Sequence, residues 1–385
     1  MASFGLQELA NTAWAFSSLD LTNRPLFAAI AASAIRTLRM QTSIRLTPES
    51  ARARLPQAQA TAIALVEAFE KVDGDLLAQA IFGEAEAFLE WVSSKLEVDG
   101  RVRASLPLSL ATSGDGGGTS PQILASQSGI CLLWKPTGWA MRVGSKDRLA
   151  DALRGNGMVD EALSEAKRPL QAWVVDNFGP HHAISRDPLF QHGLVHRLDR
   201  DTSGSLACAT SYQHFFRARL CFAAHRVLKE YQCLCYGHMP PPTNVNRVID
   251  LPLKATLQKW HSGQGLRSVV DDRLGQLAKT EVLAVWHFAS PEQAAVSFVE
   301  VRIHTGRLHQ IRAHLGHLGH PLVGDVPYGG PDAWPDWCSR IFLHSSCLAL
   351  DVGEGPLQGK PPLPEDLVRA LTLLSPCDQR GISCG

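Results

Sequence analysis

The densest chemistry in the chain lies in His196-Arg197-Leu198-Asp199-Arg200-Asp201-Thr202-Ser203-Gly204. An aspartate in a polar turn between two arginines is held ionised by their fields. An ionised carboxylate is what nucleophilic catalysis requires. The same Asp-x-x-Thr-Ser-Gly run equally suits a turn-capping aspartate with surface salt bridges. A protein-kinase catalytic loop is excluded, because it needs His-Arg-Asp and here Leu198 intervenes. A second cluster runs His304-Thr305-Gly306-Arg307-Leu308-His309-Gln310-Ile311-Arg312-Ala313-His314-Leu315. Arg307, at the mouth of the helix that follows, can pair bidentately with a carboxylate or a phosphate. Net charge is zero, yet the stretch 301–324 holds Arg302, Arg307, Arg312 and five histidines with no acid, a local positive strip on which a polyanion could lie. His309, His314, His317 and His320 invite a metal reading. Gly316 and Gly319 break their helix and no carboxylate lies among them, so no metal is expected.

The elements around these clusters follow from periodicity. Gly193-Leu194-Val195 reads as a buried strand entering the turn, and 205–210 as the strand leaving it. Further strands are expected at 128–135, 232–237, 278–285, 295–303 and 340–350, with helices at 212–228 and 310–318. That mixture indicates an α+β domain over 121–375, followed by a tail at 376–385. Residues 1–97 read as an all-α extension. Leu6, Leu9, Ala13 and Phe16 share one helical face, and Pro25 suits the first turn of a helix through Leu38. A helix follows at 61–72, then one with Leu77, Ile81, Ala85, Phe88 and Val92 on a stripe. Residues 98–120, including Ser113-Gly-Asp-Gly-Gly-Gly-Thr-Ser-Pro121, read as a flexible linker. Removing residues 1–112 is expected to leave a folded catalytic part.

Composition sets the outer bounds. A hydrophobic fraction of 45% and a charged fraction of 19% are those of a soluble globular protein. No stretch approaches the ~20 apolar residues of a membrane helix, so no membrane partner is expected. Nine scattered cysteines with no C-x-x-C pair, and no secretory signal, favour reduced thiols in an intracellular compartment. The first 50 residues fit an organelle transit peptide loosely and read equally well as folded helix. Cytoplasm, chloroplast and mitochondrion all stay open.

Taken together, the clusters resemble the RluA-type family of pseudouridine synthases over residues 121–370. The landmarks come in the family's order. Lys135-Pro136-Thr137-Gly138 is followed by His196-Arg-Leu-Asp199-x-x-Thr-Ser-Gly204 and Lys229-Glu230-Tyr231. Thr305-Gly306-Arg307 with His309-Gln310-Ile311-Arg312 and His314 comes next, then 319–325 and Tyr328-Gly329. Leu343-His344 and Pro362-Leu363-Pro364 close the set. The resemblance implies a central mixed, mostly antiparallel sheet with flanking helices and an isomerase that converts uridine to pseudouridine in tRNA, rRNA or mRNA without any cofactor. Asp199 would be the nucleophile, attacking C6 of the ring or C1′ of the ribose. Arg307 would form the ion pair that orients Asp199. Tyr231 would stack under the flipped uracil and help move a proton. Arg197 would fill the gap in the RNA, and Ile311 would pack against the base. Arg200, His309, Arg312 and Lys135 are further candidates for RNA contact, Lys135 being equally suited to shaping a turn. The protein is expected to act as a monomer with no obligate protein partner.

The segment Leu9-Ala-Asn-Thr-Ala-Trp-Ala-Phe16 resembles the helical repeat of octotricopeptide and RAP-associated RNA-binding proteins. Its alternative is a helical extension packed on the rest. No S4-type RNA-binding module precedes the catalytic part. Stretches 144–191 and 240–273 match the family loosely and read as helix or loop insertions. Two other functions compete: a catalytically silent RNA-binding protein with the synthase fold, and a hydrolytic glycosidase. The latter is disfavoured because Asp199 lacks an evident partner carboxylate.

Overall fold

The computed structural model describes residues 6–18, 24–42, 60–69, 76–96, 118–141, 169–245, 247–260 and 263–377. Most of the expected linker, the tail beyond residue 377 and much of the first insertion lie outside them. The strands are β1 (Gln122–Gln127), β2 (Ile130–Lys135), β3 (Ser203–Ala209), β4 (Leu228–Tyr236), β5 (Val248–Asp250), β6 (Leu253–Trp260) and β7 (Gly263–Val270). They continue with β8 (Lys279–Ala289), β9 (Ala295–Ile303), β10 (Leu343–Asp351), β11 (Pro356–Gly359) and β12 (Ser375–Pro376). The main sheet runs β1-β2-β3-β10-β4-β9-β8-β12, with β11 on β10 and β5 on β8. Among the described residues only the β3–β10 seam is parallel, so the sheet is mixed and mostly antiparallel.

Both faces of this sheet are covered. β2 and β3 are buried along their whole length, and the period of two sorts their side chains between two cores. Ile130, Leu132, Ala207 and Ala209 join one core, while Cys131, Leu133, Leu206 and Cys208 join the other. The second core continues into the candidate site through Tyr231, Leu198, Ile303, Ile311 and Leu343.

Helices α1 (Leu6–Ser18), α2 (Arg24–Thr42), α3 (60–69) and α4 (Leu76–Leu96) complete the first core rather than forming one of their own. On α4, Ile81, Ala85, Phe88 and Val92 are buried at helical spacing. The helix packs against α6 (Tyr212–Ala223), which follows α5 (Leu170–Phe178). Glu86 and Glu90 of α4 pair with Arg217 of α6, and the Arg226 guanidinium lies 4.1 Å over the Phe82 ring.

Several boundaries differ from those expected. The segment 193–195 is no strand; Leu194 makes a single bridge to Cys208, because Gln191, His192 and Gly193 all have left-handed backbones. Helix α6 stops at Ala223 instead of reaching residue 228. His225 turns left-handed (φ 53°) and its Nδ1 donates to the His304 carbonyl at 2.9 Å, and β4 then starts at Leu228. The insertion at 240–273 is largely strand: β6 and β7 form a separate antiparallel ribbon. Among the described residues no helix is long and apolar enough to cross a membrane.

Candidate active site

The site is built where the parallel seam begins. Ser203 and Gly204 of β3 pair with His344 and Ser345 of β10. A Cβ on Gly204 (φ 128°) would come within 2.3 Å of the Ser345 carbonyl oxygen, so only glycine lets the strands meet here. The turn before this seam carries Asp199, and its carbonyls are held one after another. The Thr202 N–H donates to the Asp199 carbonyl at 3.1 Å. Arg200's carbonyl accepts from the Gly138 N–H (3.0 Å) and Lys135 Nζ (2.9 Å). That of Asp201 accepts from Arg340 Nη1 and the Thr137 hydroxyl, each at 3.1 Å, and that of Thr202 from Lys135 Nζ at 2.7 Å. A carboxylate on so fully tethered a turn has its geometry fixed before any substrate arrives.

Asp199 is 22% exposed, and burial alone would raise its pKa. The positive field of His309, Arg312 and Arg197, with a hydrogen bond from Arg312, outweighs burial and holds the carboxyl below its ordinary value. Arg312 Nη1 lies 3.2 Å from Asp199 Oδ2. The rest of its guanidinium grips Asp325 through two hydrogen bonds of 2.8 Å, and the Asp325 side chain is wholly buried. His309, in a left-handed conformation (φ 50°) just before α7 (Gln310–His317), puts Nε2 3.7 Å from Asp199 Oδ2. The Ser268 N–H donates to the Tyr328 hydroxyl at 2.9 Å, and that hydroxyl lies in hydrogen-bond contact with His309 Nδ1 at 3.3 Å. Burial pushes His309 down to about 4 despite the pull of Asp199, so at neutral pH Arg312 and Arg197 carry the field.

Around this acid opens a cleft of about 500 Å³. Tyr231, on β4 opposite Ser345, lines it and is 7% exposed; burial holds its phenol well above the ordinary range and keeps it protonated. Ile311 (4% exposed), Leu343 and Ile303 supply apolar wall. Arg197 and Arg200 are exposed, and among the described residues neither has a carboxylate within ion-pair distance. A second depression, edged by Trp334 and Arg200, meets the first at Asp199 and Arg312.

Two expected placements are corrected. Arg307 does not reach Asp199. Its Nη2 lies 3.2 Å from Glu67 of α3 and its Nε donates to the Leu277 carbonyl, so the ion pair falls to Arg312. Lys135 is 0% exposed and bonded to backbone carbonyls, so no RNA can touch it; it shapes the turn. The four histidines diverge. His314 bonds Thr280 Oγ1 and the Leu251 carbonyl, His320 the Tyr236 carbonyl, and His317 is exposed. The reading from sequence overlooked Arg340, Asp325, Tyr328 and Glu67. Asp325 and Tyr328 stood inside quoted motifs, but Glu67 gave no signal because its partner lies 240 residues away.

The site is thus a tethered carboxylate paired with arginine, opposite a buried tyrosine in a cleft of an α+β domain. Residues 183–317 match the family model described as RNA pseudouridylate synthase. The ribosomal large subunit pseudouridine synthase D of Salmonella typhimurium is 31% identical over 190 residues, 46% of this chain and 53% of that protein. An uncharacterized RNA pseudouridine synthase of Chloroflexus aurantiacus is 37% identical over 180 residues, 46% of this chain and 51% of the relative. Among solved structures, human RNA pseudouridylate synthase domain containing 1 aligns with 67% of this chain and 89% of its own, at 22% identity and a TM-score of 0.45. The chain thus spans about half the length of the curated relatives it matches. Residues 183–317 are thus similar to RNA pseudouridylate synthases, the family that this model describes.

Proposed function

We propose that this chain is an RNA pseudouridine synthase. The observation that carries the reading is the placement of Asp199: a carboxylate reachable from the cleft and paired with Arg312 at 3.2 Å, whose field favours its charged form. The target uridine must leave its stack, at a cost of roughly a few kcal/mol. Arg197, exposed at the rim, is suited to fill the gap by stacking and hydrogen bonding. Asp199 attacks C6 of the ring or C1′ of the ribose and the N1–C1′ bond breaks. The uracil then turns against Ile311 and Tyr231, C5 bonds to C1′, the C5 proton is lost and N1 takes up a proton as the aspartate is released. The product is an isomer of the substrate, so no water is consumed and no redox partner is required.

The names of relatives such as the Salmonella protein point to large-subunit ribosomal RNA as the substrate to try first. The test is to incubate the full chain with ribosomal and transfer RNA lacking modifications and map pseudouridine. New sites should appear and vanish in Asp199→Ala while RNA binding falls far less. Undiminished modification by Asp199→Ala would refute the mechanism. RNA binding with no modification by the native chain would favour a silent RNA-binding protein, and released uracil with abasic RNA a hydrolase.

A further inference from the structure

The cleft around Asp199 contains a second concentration of charge that the proposed chemistry does not use. Five arginine and lysine side chains line the cleft against two acids, Asp199 and Glu67. Arg197 and Arg312 flank the former. Arg219, Lys229 and Arg307 are left with Glu67, joined by the His225 imidazole. Glu67 does not come from the catalytic part at all; it is delivered by α3 of the N-terminal region, beside Ile63 of the same helix.

These cations are poorly neutralised. Lys229 is 5% exposed; its Nζ donates to the His304 and Thr305 carbonyls at 3.3 Å, and burial with the nearby charge of Arg307 pushes its pKa down to about 8. Among the described residues, the Arg219 guanidinium donates to protein only at the Val195 carbonyl (3.2 Å), although it carries five N–H donors. Burial lowers the Arg219 pKa as well, and the charge of Glu67 opposes that. Glu67, 31% exposed, touches Arg307 at 3.2 Å. One carboxylate therefore faces three cations in a cleft open to a polyanion.

We infer that Arg219, Lys229 and Arg307 form a binding site for a backbone phosphate of the RNA strand entering the cleft, and that the Glu67 carboxylate occupies this site until the phosphate displaces it. The inference rests on the RNA-directed reading above. Carboxylate and phosphate make the same bidentate bonds to guanidinium, and phosphate brings more acceptors and more charge. A partly exposed ion pair is cheap to open. The packing of α4 on α6 holds the N-terminal helices against the catalytic part, so this region sets RNA affinity through one side chain.

The test uses the full chain and a fluorescein-labelled RNA stem-loop with a uridine-rich loop, titrated by anisotropy from low to high salt. Glu67→Gln, which keeps the shape and removes the charge, should bind about two- to fivefold tighter. Arg307→Gln should bind more weakly and reduce the slope of log affinity against log salt by about 0.7, the loss of one phosphate contact. Glu67→Gln placed in the Arg307→Gln background should then gain almost nothing. Glu67→Gln binding no tighter, or gaining equally in both backgrounds, overturns the proposal. Arg219→Gln reads the same site without touching α3, and an unchanged salt slope there also overturns it. These are affinities, independent of turnover. Failure of the synthase reading leaves them in place as RNA is bound but unmodified, whereas normal modification with no effect of Glu67 sinks the phosphate site alone.

Discussion

Replacing Arg312 by glutamine should separate the corrected ion pair from the expected one. Arg312 holds two carboxylates at once: Asp325, wholly buried and bonded twice at 2.8 Å, and Asp199 at 3.2 Å. Removing one partner of a buried pair costs roughly 3–5 kcal/mol, because the remaining charge is stranded. Asp199 is 22% exposed and can rehydrate, and glutamine returns one donor, so the lower end, about 3 kcal/mol, is expected. With a urea m-value of about 3 kcal/mol/M for a protein of this size, the unfolding midpoint should fall by about 1 M. The activity should change in a way that tracks charge. Asp199 has a depressed pKa in the native protein, so the stabilisation of its ionised form is fully present above the ordinary carboxyl range near pH 4 and is lost as pH falls through the depressed value. Without Arg312, Arg197 is left to oppose the burial of Asp199 and the balance shifts toward the protonated acid. The acid limb of the pH–rate profile for pseudouridine formation should therefore move to higher pH. Arg307→Gln should leave that limb in place. Arg312→Gln with native stability and an unmoved acid limb, or Arg307→Gln moving it, would refute the assignment of the pair.

Lys135→Met keeps the stem but strands the carbonyl of Thr202 and takes a donor from those of Arg200 and Pro136; a loss of about 3 kcal/mol in chemical denaturation is expected, with slower turnover because the Asp199 turn loosens. Tyr231→Phe preserves the buried ring, so thermal stability should change little while the rate constant for modification falls by about 10²-fold or more, readable in single-turnover pseudouridine formation. Deleting residues 1–97 uncovers the α6 face and leaves Arg217 without Glu86 and Glu90, so the truncated chain should melt at lower temperature or lose solubility. A truncated chain with the native melting temperature would show that the first core does not need these helices.

The sheet was legible because its strands obey a strong period. Residues 295–303 are expected and observed as one strand, and β2 needs only the removal of the Ser128-Gly129 turn. The errors fall where tertiary contact overrides local preference. Residues 224–227 continue an apolar helical pattern, yet a hydrogen bond from His225 to His304, 79 residues away, ends α6 early. The β6–β7 ribbon stayed hidden because its anchors are remote: Ser268 Oγ donates to the Leu308 carbonyl at 2.6 Å, and the Ser268 N–H to Tyr328.

The exchange of Arg307 for Arg312 has the same origin. Both are arginines of one short segment, and nothing in their spacing says which faces a turn more than a hundred residues earlier. The difference lies in the helix between them. Arg307 stands before α7, where its backbone N–H is taken by Gln310 Oε1 at 3.0 Å and its side chain swings toward α3. Arg312 stands within α7, where Asp325 fixes one edge of the guanidinium and the Tyr328 ring lies 5.2 Å from its centre. A guanidinium clamped on one edge and one face has only its remaining nitrogen to aim, and that nitrogen meets Asp199. Asp325 and Tyr328 are thus positioning residues, acting on the carboxylate through Arg312. Where an arginine must orient an acid, the decisive sequence feature is the set of groups that fix the arginine, and here that set follows it by 13 and 16 residues.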